Sequence, residues 1–180
     1  MKELDLGQAA SFAMGEWQRD CVCTHEAGHV VACIRYGIQF EKATCVPDGD
    51  TQGSVSIMRD PVVVDRIVQR LTKSQYIVAL LAGYAAQIEN GQHEENAMIG
   101  SGPDFETVRV LIRDCPETLE SWKEKARAFC RRQAPAIKAI EAALIEHGTL
   151  TYQEAIDRIP LGPTEDLSES DFKESTLRGI

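Results

Sequence analysis

The chain is short of positive charge. It carries 19 Lys and Arg against 28 Asp and Glu, a formal net charge of −9. Nucleic acid is therefore excluded as a main partner, because phosphate binding needs a basic surface. An acidic surface also disfavours attachment to an anionic membrane. A long apolar run is missing too. The longest, IVALLAGYAA from Ile77 to Ala86, is broken by glycine. It is far below the roughly 20 residues that cross a bilayer, so no membrane insertion is expected. The N-terminus places Glu3 and Asp5 where a leader would need an apolar core, and a cytoplasmic protein is expected. Cys21 and Cys23 have no matching second pair, so the six cysteines read as reduced, buried or incidental thiols. There is no internal repeat and no low-complexity tract.

What remains is ordinary for a globular chain. At 180 residues and 43% apolar content it suits one domain with a sizeable core. The expected division is an N-terminal extension over 1–16, ordered only in part, a helical domain over 17–160, and a flexible acidic tail over 161–180. The tail holds seven charged residues in twenty. The expected fold class is mainly α with a small β-hairpin or short sheet. A helix is predicted from Trp17 to Tyr36, stopped by Gly37. Strands follow over 38–47 and 53–58, separated by the turn signal PDGD. Helices are predicted over 61–71, 73–89, 103–115, 116–133 and 135–147. Residues 90–102, rich in polar residues and glycine, read as a loop. Thr151 and Glu154 form a capping box for a short last helix.

Histidine is scarce, with four in the chain, yet two of them fall in THEAGHVVAC at 24–33. Residues four apart share one helix face, so His25 and His29 can aim both imidazoles at one point. Zinc accepts such a pair. Glu26, one residue on, sits beside that point, placed to take a proton from zinc-bound water and pass it to a departing amine. Buried without a metal, two histidines and a glutamate on an apolar helix cost several kcal/mol. Gly28 costs about 1 kcal/mol in mid-helix, which suits a place where another backbone comes close. A catalytic zinc needs a third protein ligand. His93, Glu89, Glu94, Glu95, Asp104 and Glu106 are candidates, and spacing does not choose among them. Asp104 has a competing explanation: it lies in a first helical turn, where an acid complements the helix dipole, and Ser101 to Asp104 resembles a capping pair.

Four segments in order resemble the peptidase domain of the FtsH-type ATP-dependent zinc proteases. HEAGHVVA resembles that family's HEAGHA motif. KATCVPDGDTQGSVSI resembles its short strand pair, LLAGYAAQIENG its helix containing G-G-R-A-A-E-E, and GSGPDFETVRVLIRD its T-G-A-S-N-D-L segment. The resemblance covers about 17–158 and implies a zincin-like helical metallopeptidase fold. It makes Asp104 the third zinc ligand beside His25 and His29, with Glu26 catalytic. The chain departs from the pattern where the family has two acids after A-A; here stand Gln87 and Ile88, with Glu89 as a possible substitute. Few residues precede the motif, so no ATPase of its own is expected. The implied activity is zinc-dependent hydrolysis of unfolded or flexible polypeptides, alone, by self-association, or with a separate ATPase partner. The alternatives are a catalytically silent metal-binding adaptor and a zinc aminopeptidase or amide hydrolase.

Overall fold

A computed structural model describes residues 6–49, 51–60 and 71–160. It is mainly helical with a small antiparallel sheet, as expected from the sequence. The helix predicted over 61–71 lies, apart from Leu71, outside the described residues, as does the tail from 161.

Helix α1 spans Leu6–Tyr36 and ends where Gly37 takes φ +71°. It starts well before Trp17: the helix runs back through most of the stretch expected to be an extension. Ala9, Ala10, Ala13 and Met14 are strong helix formers, and they propagate a helix at little cost once the next turns exist. Strand β1 is Phe40–Thr44 and β2 is Ser54–Ile57. They pair antiparallel, with Ala43 opposite Val55, as the hairpin reading requires. A third strand, β3 (Thr149–Thr151), pairs antiparallel with β1 on its other side and was not foreseen. Among the described strands the order β2-β1-β3 leaves β2 at an edge.

Helix α2 spans Lys73–Glu89 and opens with a capping box between Thr72 and Gln75. Its apolar residues Ile77, Leu81 and Ala85 are fully buried. It crosses α1 at Gly28: a Cβ there would collide with the Ala82 carbonyl and lie 2.9 Å from the Ala86 Cβ. The mid-helix glycine thus marks a close backbone approach, as its cost suggested.

The expected loop at 90–102 contains helix α3, Glu94–Gly100. His93 supplies an extended N-cap, Glu94 and Glu95 occupy the first turn, and Ala97 is fully buried. One fully buried residue, with Met98 partly buried and Ile99 exposed, leaves too weak a periodicity to read as a helix. Helix α4 is Gly102–Leu111, with Pro103 in its first turn. It stops at Leu111, short of Cys115. Helix α5 is Leu119–Arg132, beginning three residues after Pro116 because Thr118 caps it by accepting from the Ser121 amide. Helix α6 is Ala134–His147, ended by Gly148 at φ +74°. The last helix, α7 (Tyr152–Arg158), carries the Thr151–Glu154 capping box. Helix α2 lies between α1 and α5, and α4 packs beside it. The start of α4 is thereby brought to the α1–α2 crossing.

Candidate metal centre

His25 and His29 project from one face of α1, as four-residue spacing dictates. Their Nε2 atoms are 3.0 Å apart. Asp104, in the first turn of α4, brings Oδ2 to 3.7 Å from His25 Nε2 and 3.4 Å from His29 Nε2. All three ligand atoms lie within 4.8 Å of one another, close enough to hold one metal ion. Among the described residues no other His, Cys, Asp or Glu cluster does so. Asp104 is not acting as a helix cap partner. Ser101 has no side-chain capping bond, and its hydroxyl donates instead to the Ala97 carbonyl at 2.8 Å.

The donor set asks for a cation. His29 Nδ1 faces the Ala79 carbonyl oxygen at 2.9 Å, and His25 Nδ1 faces the Gln87 amide oxygen at 3.2 Å. Oxygens accept, so each Nδ1 carries the hydrogen and each Nε2 keeps its lone pair. Two lone pairs and a carboxylate therefore converge on one point. Without metal, a proton fills the need. Burial works against a charged His29, yet the hydrogen bond and negative charge of Asp104 push its pKa up to about 9. Burial would likewise raise the pKa of Asp104, but its hydrogen bonds to His25 and His29 win and hold it well below the usual carboxylate range. Two imidazoles and one carboxylate fit the ligand count of a catalytic zinc site.

Gly83 of α2 makes room for this cluster. A Cβ on it would lie 2.5 Å from His29 Nε2 and 2.6 Å from His25 Nε2. Gly83 was not among the site residues expected from the sequence. The signal was there: a glycine in the middle of an apolar helix, at the same cost that drew attention to Gly28.

Glu26 is buried beside the histidines at 5% exposure. Burial raises its pKa, against the pull of His29 and His25. A Cβ on Gly53, just before β2, would lie 2.7 Å from Glu26 Oε1, so the sheet edge runs against this carboxylate. All four residues line a cleft of about 940 Å³. Its walls are mostly apolar: Val55 and Ile57 of β2, Tyr76 and Leu80 of α2, Val110 and Leu111 of α4. Ile57, Tyr76 and Val110 are exposed at its rim.

The other candidate ligands point elsewhere. Glu89 pairs with Arg127 at 2.7 Å and Arg131 at 3.1 Å, away from the cluster. Gln87 is the residue of this segment that meets His25. Glu94 accepts from Tyr84 and Lys123, and with His93 it lines a separate polar pocket. Glu95 and Glu106 are exposed. The described cysteines are free thiols, and neither Cys21 nor Cys23 joins the cluster. Among the described residues no helix is long and apolar enough to cross a membrane. Comparison with protein-family models and with curated proteins finds no match.

Proposed function

We propose that the chain is a zinc-dependent metallopeptidase that cuts peptide bonds in unfolded or flexible polypeptides. One observation carries this: a His25–His29–Asp104 cluster with a buried carboxylate, Glu26, beside it on the wall of an open cleft. Zinc, when bound there, acidifies a water and polarises the scissile carbonyl.

The chain's own residues do the rest. β2 borders the cleft and, among the described strands, pairs only with β1, so an extended polypeptide can add along its other edge by main-chain hydrogen bonds. That mode selects for backbone, not for a particular side chain. The apolar rim suits the exposed hydrophobic segments of an unfolded chain. Glu26 accepts a proton from the attacking water at its carboxylate and returns it to the departing amine nitrogen. Burial, by raising its pKa, makes Glu26 a stronger base than a surface glutamate. Two histidines and one carboxylate also suit ferrous iron, but a buried proton acceptor beside the cluster favours hydrolysis. The same carboxylate weighs against a catalytically silent adaptor. The resemblance of HEAGHVVA and GSGPDFETVRVL to FtsH-type peptidases agrees with this reading.

The test is hydrolysis of an unfolded protein such as casein by zinc-loaded protein. Cleavage is expected in the wild type and a loss of about 10²-fold or more in Glu26→Gln. Activity that survives Glu26→Gln contradicts the mechanism. Full zinc content with no cleavage of any unfolded chain favours the adaptor.

A further inference from the structure

Gln87 connects the metal centre to the backbone of α1. It is 5% exposed. Its Nε2 donates to the Cys21 carbonyl oxygen at 3.0 Å, and its Oε1 lies 3.2 Å from His25 Nδ1. Each contact dictates the next. A backbone carbonyl only accepts, so the amide nitrogen must face Cys21. The amide oxygen must then face the imidazole. An oxygen can only accept, so Nδ1 carries the hydrogen, and the Nε2 lone pair is left toward His29 and Asp104. The Cys21 carbonyl thus sets the tautomer of His25 through one buried side chain. His29 is oriented by a shorter route, directly by the Ala79 carbonyl.

We propose that Gln87 is a positioning residue of the metal centre, locking His25 with Nδ1–H toward α2 and Nε2 toward the ion. This rests on His25, His29 and Asp104 being metal ligands, and not on the peptidase reaction. It also accounts for an amide at this place. A carboxylate would accept from His25, but its second oxygen would face the Cys21 carbonyl oxygen. Leaving two buried acceptors opposed is unfavourable. The amide satisfies both neighbours. Being neutral, it leaves the imidazole a weaker donor than a carboxylate partner would.

Zinc affinity, measured by competition with a chromophoric chelator, tests this in wild type, Gln87→Leu and Gln87→Glu. Leucine removes both hydrogen bonds at similar size, and a loss of about 10–100-fold is expected. Glutamate keeps the acceptor for His25 and should recover a large part of that loss. Gln87→Leu binding as tightly as wild type overturns the proposal, and so does Gln87→Glu binding as weakly as Gln87→Leu. Thermal melts of the metal-free proteins show whether each variant folds. Should Gln87→Leu fail to fold, the imidazole ¹⁵N spectrum of zinc-loaded wild type decides. A slowly exchanging Nδ1 proton on His25 supports the lock, and an Nε2 proton overturns it. Wild type that takes up no zinc at all defeats the metal-centre reading itself, a different result from an insensitive Gln87.

Discussion

Helix α2 separates two groups of partly buried charge that are built on opposite principles. On the side facing α5, every charge has a partner from the chain. Lys123, whose side chain is 8% exposed, meets Glu94 at 2.8 Å and Glu120 at 3.0 Å. Its ammonium also lies 5.4 Å and 5.8 Å from the ring centres of Tyr84 and Phe105. Glu89 is shared by Arg127 and Arg131. On the side facing α1 and α4, three electron-pair donors converge, and among the described residues no Lys or Arg pairs with them. The first group is electrostatically complete and the second is not. Both histidines on the second side are aimed by neighbours, His25 by Gln87 and His29 by the Ala79 carbonyl, so the arrangement is built in. A completed network fixes the arrangement of helices. An incomplete one is a place for an ion.

Breaking each side should give different losses. The largest effect belongs to the ligands. Asp104→Ala or His25→Ala should lower zinc affinity by more than about 100-fold, beyond the range for a residue that only orients a ligand, as read by chelator competition. Gly83→Ala should do nearly as much without replacing a ligand, since its Cβ would sit 2.5 Å from His29 Nε2. A Gly83→Ala protein with normal zinc content contradicts the packing described. Removing the ion with a chelator should lower the melting temperature. At a zinc concentration of about 100 times Kd the stabilisation is about 2.7 kcal/mol. For a chain of this size that is about 5–11 °C. On the complete side the effect is on stability alone. Lys123→Met should lower stability modestly in denaturant unfolding, because it removes the cation shared by Glu94 and Glu120 and held over the Tyr84 and Phe105 rings, while zinc affinity stays unchanged. The smallest effect, near the limit of detection in the same unfolding measurement, is expected for Arg131→Ala, whose ion pairs lie open to solvent.

How much of this was legible in the sequence follows from the range of the forces involved. His25, Glu26 and His29 lie on one helix at a spacing that geometry alone interprets. Gly28 was legible through its helical cost. Asp104 is brought from another helix, and only the resemblance to the FtsH-type segment singled it out from Glu89, Glu94 and the rest. The hairpin was legible because β1 and β2 are local. Strand β3 was not, since three residues pair across a separation of about a hundred. Helix α3 was hidden because Ala97 is its one fully buried residue, with Met98 only partly buried beside it. Gln87 was noticed as a departure from the family's acids, but its role depends on the Cys21 carbonyl, a backbone atom no motif encodes.

The central claim is that the incomplete cluster is finished by a metal held through nitrogen and oxygen. X-ray absorption at the zinc edge of the loaded protein measures this directly. The account predicts one zinc per chain, with nitrogen and oxygen neighbours at about 2.0–2.2 Å, two of them imidazoles, and no sulfur. A sulfur shell at about 2.3 Å would move the metal to the cysteines and contradict it, and so would a folded protein that takes up no zinc.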